Sequence, residues 1–219
     1  MADAVLHYIH DPLCGWCYAA SPLVAAARQM PAMEIRLRAG GLFVGANRRP
    51  VTPELRGYVL PHDRRIAQLT GQPFGEAYTD GLLRDPSAVL DSEPPIAAVL
   101  AADQIAGRGL DLLTRLQAAH YVEGRKLAER EVLVALAKDI GLDETAFEQA
   151  LDETLGARTQ AHLADTRAWM AQVGARGFPT FVLERGGRLS TIEAGEYLGR
   201  PGPWQARLRA LAGHRDPAT

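Results

Sequence analysis

The sequence predicts an α/β fold, with a mixed central sheet, helices on its faces and a large all-helical insertion between the sheet's two halves. Three observations point there. Strand-like apolar runs lie near the two ends of the chain, helical periodicity fills the middle, and the only two cysteines sit where the first strand gives way to the first helix.

Residues 4–9 (Ala-Val-Leu-His-Tyr-Ile) form a short, largely apolar strand that His10-Asp11-Pro12-Leu13 breaks. Over residues 14–30 the spacing is helical, with Ala19, Ala20, Leu23, Val24 and Ala27 on recurring faces and Pro22 expected to kink the helix by removing one backbone hydrogen bond. Residues 34–39 alternate polar and apolar as a second strand does, and Gly40-Gly41 ends it. Helices follow over 53–69, 94–105, around 112–119, over 132–140, around 147–151 and over 160–173. Residues 178–183 and 188–192 read as strands across an Arg185-Gly186-Gly187 turn, and 201–211 as a last helix. The expected division is residues 1–62 with 174–212 as the sheet-bearing domain, 63–173 as the insertion and 213–219 as a tail.

A chain of 219 residues can bury a sizeable core without staples. Hydrophobic residues make up 47% and charged residues 23%, the balance of a soluble globular protein. The net charge of −2 gives no field that draws nucleic acid or an anionic membrane. No apolar run is long enough to span a bilayer, and residues 1–8 carry neither a basic n-region nor an apolar h-region. The expected compartment is therefore the cytoplasm. No pattern sets an oligomeric state.

Two cysteines three apart exclude a disulfide-rich scaffold, and a bridge across so short a loop adds little stability. Chemistry explains Cys14-Gly15-Trp16-Cys17 better. A thiol at a helix N-terminus meets the positive end of the macrodipole and unpaired N–H groups, which favour the reactive thiolate. Strand, CxxC and helix in that order read as a thioredoxin-like redox motif. Cys14, at the helix tip and expected to be exposed, is the nucleophile, and Cys17, one turn in, resolves a mixed disulfide. Two buried, inert cysteines are the plain alternative. A zinc site drawing on His10, Cys14 and Cys17 lacks a second ligand pair at recognisable spacing, so no metal is expected.

Gly177-Phe178-Pro179-Thr180 is the second signal. In a thioredoxin fold this is where a cis-proline faces the cysteines. Pro179 has no N–H to donate, and the backbone of its neighbours Phe178 and Thr180 can pair with an extended peptide substrate. A trans proline at a strand edge is the competing reading.

Residues 11–22, Asp-Pro-Leu-Cys-Gly-Trp-Cys-Tyr-Ala-Ala-Ser-Pro, resemble the active-site segment of DsbA-like thioredoxin-fold proteins, in particular their signal-less FrnE-like branch. Gly177-Phe178-Pro179-Thr180-Phe181 is similar to their cis-proline segment, and the helical block to the helical domain inserted into their fold. Residues 70–75 (Thr-Gly-Gln-Pro-Phe-Gly) and 120–125 (His-Tyr-Val-Glu-Gly-Arg) are also similar to segments of such proteins, without an assigned role. The resemblance spans the chain in layout and is specific over the two motifs. It implies a dithiol–disulfide oxidoreductase or isomerase with a redox-active disulfide and no organic cofactor. Its partners would be protein or small-molecule thiols and disulfides, with glutathione a candidate co-substrate.

Two features depart from that pattern. Tyr8 stands six positions before the nucleophile, where many thioredoxin-fold enzymes carry a buried carboxylate. Asp11 is the nearest acid, a candidate for proton transfer or simply the opener of the turn. The dipeptide Gly15-Trp16 matches neither thioredoxin's nor the periplasmic oxidant's, which leaves the direction of reaction open.

Around the pair, Trp16 is either a partly exposed lid that meets substrate or a packing residue. His10, if protonated, stabilises the Cys14 thiolate; the plainer expectation is a solvated turn residue. Ser92 or Asp91 caps the helix that Pro94-Pro95 opens, or lines the cleft. His62 and Asp63 are adjacent without forming a dyad, and Arg64-Arg65 belongs to a solvated face.

Two other functions stand beside the leading one. A glutathione-dependent kappa-type transferase or 2-hydroxychromene-2-carboxylate isomerase shares the layout but relies on a single serine or cysteine, and Cys17 argues against it. A peptide-binding module or holdase would use the groove beside Pro179 without redox chemistry.

Overall fold

The computed structural model describes residues 4–213. Residues 1–3, which open the segment read for a leader, and 214–219, most of the expected tail, lie outside the described residues. In chain order the elements are β1 (Ala4–His10), α1 (Gly15–Arg28), β2 (Met33–Ala39), β3 (Arg49–Pro50), α2 (Pro53–Thr70), β4 (Val89–Leu90), α3 (Glu93–Ala106), α4 (Gly109–Tyr121), α5 (Arg130–Asp139), α6 (Glu144–Thr154), α7 (Ala157–Val173), β5 (Thr180–Arg185), β6 (Arg188–Ile192) and α8 (Pro201–Gly213).

The central sheet has the order β2-β1-β5-β6. β1 and β2 run parallel through the α1 crossover, while β5 is antiparallel to β1, with Thr180 opposite Ile9, and β6 antiparallel to β5. This is the thioredoxin-like α/β arrangement, with the helices α2 to α7 entering between β2 and β5. Residue 63 falls inside α2, and Gly174 caps the end of α7. Buried on both faces, β1 reads as a continuous apolar run, whereas the edge strand β6 is mostly exposed. β3 and β4 form a separate two-residue ladder, too short to leave a periodic signal in sequence.

Element ends differ slightly from expectation. β1 runs on through His10, which pairs with Ala39. β5 starts at Thr180 rather than residue 178, and α7 starts at Ala157 rather than residue 160.

Pro22 has no N–H, so the carbonyl of Tyr18 loses its helical donor. Gln72 fills the gap, its side-chain amide donating to Tyr18 O at 3.0 Å and to Ser21 Oγ at 2.8 Å. This gives the 70–75 segment a structural role, and the 120–125 segment locks onto it. Gly75 N donates to Tyr121 O at 2.9 Å, and a β-carbon on Gly75 would stand 2.0 Å from the Val122 carbonyl oxygen. Gly124, at φ +66°, lies as close against Ala77. Only glycine permits either approach. Tyr18 completes the lock: its hydroxyl donates to Pro73 O at 2.9 Å and its ring stacks on Tyr121 at 4.7 Å.

On the opposite side α8 covers α1. Trp204 is wholly buried, packs against Phe181 at 5.1 Å and donates from Nε1 to Leu23 O at 3.0 Å. Burial of such a ring contributes about 3 kcal/mol. Among the described residues no helix is long and apolar enough to cross a membrane.

Candidate active site

Cys14 is the N-cap residue of α1 and Cys17 lies one turn in; both are free thiols. The Cys14 carbonyl accepts from Cys17 N at 2.9 Å and Tyr18 N at 3.0 Å, while its amide donates to Asp11 O at 3.2 Å. Contrary to expectation Cys14 is not exposed: only 7% of it is accessible. The reason is the strand-side loop, for the thiol donates to the carbonyl of Phe178, 3.7 Å away. Cys17 is wholly buried. Burial first, then the hydrogen bond and charge of Cys14, push its thiol well above the ordinary range.

The Phe178–Pro179 peptide bond is cis. Thr180 Oγ1 donates to Gly177 O at 2.8 Å. The Phe178 ring lies over Gly40, where a β-carbon would come within 2.2 Å of it, so Gly40 makes room for the ring as well as ending β2. Trp16, Phe178, Pro179 and Thr180 line one groove of about 730 Å³, with Arg65, Arg176 and Glu193 also on its walls. Trp16 is half-buried against the core and lines the groove. Arg65 is exposed, as a solvated face requires, and also borders this groove.

Asp11 is wholly buried. Its Oδ1 accepts from Leu13 N at 2.8 Å and Ser92 Oγ at 2.9 Å, and its Oδ2 from Leu42 N at 2.6 Å. Burial pushes this carboxyl up, and the three hydrogen bonds pull it back. Asp11 opens the turn after β1 and also ties that turn to the loops after β2 and before α3. At the Cys17 thiol the backbone of Asp11 pulls the value down and its charge pushes it up. Ser92 departs from the simple capping role: its side chain makes no capping bond to α3 and is spent on Asp11 and on Phe43 N at 3.1 Å. Asp91 accepts from Glu93 N at 3.1 Å instead.

Tyr8 occupies the place of the missing acid. Its hydroxyl donates to Cys17 O at 3.1 Å, and its ring lies between His10 at 5.1 Å and Phe181 at 4.9 Å. Burial holds the phenol neutral. His10 is neither a solvated turn residue nor a cation beside Cys14. It is fully buried at the end of β1, and burial, then His162, lower it to about 3. An uncharged imidazole cannot supply a positive charge to a thiolate.

One buried carboxyl at the site has no motif to announce it. His62 turns outward against Tyr58, whereas Asp63 is only 5% exposed. Asp63 Oδ2 accepts from the Tyr78 hydroxyl at 3.1 Å. Its Oδ1 faces the first turn of α1, where a β-carbon on Gly15 would stand 3.2 Å away, with the Tyr121 hydroxyl at 4.0 Å. Burial raises the carboxyl to about 6, against the pull of Tyr78. The available signal was spacing: Asp63 shares a helical face with Val59 and Ile66, a charge on the side that packs inward. Among the described residues no three His, Cys, Asp or Glu side chains converge as a metal site needs.

Residues 6–195 match the model of the DSBA-like thioredoxin domain. The chain belongs to the DsbA-like thioredoxin family. This DsbA-like protein is 55% identical to the cytosolic disulfide reductase DsbM from Pseudomonas aeruginosa, over 94% of this chain and 98% of that one, with a TM-score of 0.89. Against DsbM solved with GSH the identity is 51%, over 96% and 100% of the two chains, again at 0.89. The 2-hydroxychromene-2-carboxylate isomerase, at 16% identity and a TM-score of 0.60 over 97% and 100%, shares the fold alone. No curated protein matches the chain. The DsbA-like protein is a thiol-disulfide oxidoreductase.

Proposed function

We propose that the protein reduces disulfides in the cytoplasm through Cys14 and Cys17, with glutathione as the electron donor. The observation that carries this reading is the placement of the pair: Cys14 caps α1 with its sulfur against the strand-side carbonyl of Phe178, and Cys17 lies one turn behind it, wholly buried. The similarity to DsbM, a cytosolic disulfide reductase solved with GSH, supports the compartment and the donor.

The Cys14 thiolate attacks one sulfur of a substrate disulfide, forming a mixed disulfide and releasing the first thiolate, which takes up a proton. Cys17 then gives up its proton and attacks the Cys14 sulfur. A Cys14–Cys17 disulfide forms and the second substrate thiol leaves. Two glutathione molecules return the pair to the dithiol and depart as glutathione disulfide. Oxidation is the same sequence run backward.

Pro179 offers no competing N–H beside the sulfurs, and the backbone of Phe178 and Thr180 borders the groove in which an extended peptide thiol would lie. Trp16 forms the apolar wall. Arg65 and Arg176 have no ion pair among the described residues, and with Glu193 they suit the two carboxylates and one amine of glutathione. Asp11 serves to hold the turn and to weigh on the proton of Cys17.

The test is glutathione-driven turnover of a small disulfide. Wild type should be active, Cys14→Ser inactive, and Arg65→Ala with Arg176→Ala should raise the KM for glutathione more than it lowers kcat. Full activity in Cys14→Ser would sink the proposal.

A further inference from the structure

A second potential charge stands beside the cysteine pair. Gly15, directly after Cys14, has no side chain, and Asp63 of α2 comes to within 3.2 Å of where its β-carbon would be. The Tyr78 hydroxyl, 3.1 Å from Oδ2, holds the carboxyl in place while Oδ1 faces the helix. The first turn of a helix favours negative charge. Cys14 is the N-cap residue of that turn and the Asp63 carboxylate lies against it, and both act on the Tyr121 phenol.

We propose that Asp63 sets the redox direction of the Cys14–Cys17 pair: its carboxylate competes with the Cys14 thiolate for the positive end of α1, which disfavours the dithiol state and makes the pair more reducing. The proposal rests on the reading of Cys14 and Cys17 as the exchanging pair. Asp63 acts through Cys14 and is a positioning residue. Two negative charges in one poorly solvated pocket repel. The disulfide carries no thiolate, so the repulsion falls on the reduced form alone and lowers the potential.

The groups around Asp63 leave that charge uncompensated. They are Gly15 at the start of α1, directly after Cys14, Ile66 on α2 itself, Tyr78 in the turn after α2, and Tyr121 on α4, with His120 behind both tyrosines at 5.3 and 4.8 Å. Burial keeps both phenols neutral and lowers His120 to about 4. With Asp63 raised to about 6, the effect is present at neutral pH and fades below it.

The experiment equilibrates wild type and Asp63→Asn with glutathione and glutathione disulfide from about pH 5 to about pH 8. Asparagine keeps the size of the side chain and an acceptor for Tyr78. At neutral pH the constant for reduction of the Cys14–Cys17 disulfide should rise about tenfold in Asp63→Asn, and the two proteins should converge near pH 5. An equal or smaller constant in the variant at neutral pH overturns the proposal. Should the variant not fold, wild type decides alone: extra proton uptake on reduction above about pH 6 supports it, and its absence overturns it. A wild-type pair that never equilibrates with glutathione would instead sink the redox reading itself.

Discussion

The side-chain amide of Gln72 donates to the carbonyl of Tyr18, the acceptor that Pro22 leaves without a helical donor in α1. A proline one turn beyond the cysteine pair is therefore tolerated because a residue some fifty positions along the chain completes its helix.

Gln72→Ala should cost about 1–3 kcal/mol, since it leaves a half-buried carbonyl and the Ser21 hydroxyl without that donor. Urea unfolding measures this. A midpoint equal to wild type would show that another donor takes over the carbonyl.

His10 makes the fold sensitive to acid. Its folded value of about 3 lies below the ordinary histidine value of 6.5. Between the two the unfolded chain binds the extra proton, so stability is full above about pH 6.5 and declines as pH falls. Among the described residues neither ring nitrogen has a hydrogen-bond partner, so an apolar ring there breaks no protein hydrogen bond. His10→Phe should match wild type near pH 7 and exceed it by on the order of 1–3 kcal/mol near pH 4.5. Parallel urea midpoints across that range would contradict this.

Gly40 connects packing to the site. A methyl group there would meet the Phe178 ring at 2.2 Å, and the ring, being half-buried, can yield. Gly40→Ala should therefore displace Phe178, whose carbonyl takes the Cys14 thiol. Disulfide reduction should fall about tenfold or more while thermal stability drops by no more than about 2 kcal/mol. Unchanged kcat/KM would detach Phe178 from catalysis.

How legible the molecule was in its sequence varied with the kind of signal. Period-two and period-3.6 patterns located the four long strands and the α1, α3 and α5 helices, because burial imposes those spacings directly. CxxC at a strand-to-helix junction located Cys14 and Cys17 for the same local reason. What needed the structure was long-range. Asp63 and Tyr121 come from separate segments and meet at Gly15, and Tyr78 reaches Asp63 from a third, so no short motif holds them. Ser92 looked like a helix cap because capping is local; its real partner, Asp11, lies far upstream. His10 reads as a turn residue because it opens the His10-Asp11-Pro12-Leu13 break, while its burial depends on Tyr8 and on α7.

The central claim is that electrons pass through Cys14 and are resolved by Cys17. In Cys17→Ser the chain keeps one thiol. Incubated with glutathione disulfide and read by mass spectrometry, this variant should accumulate a single glutathione adduct on Cys14 that wild type does not retain. No adduct in Cys17→Ser, or an equally persistent adduct in wild type, would contradict the account.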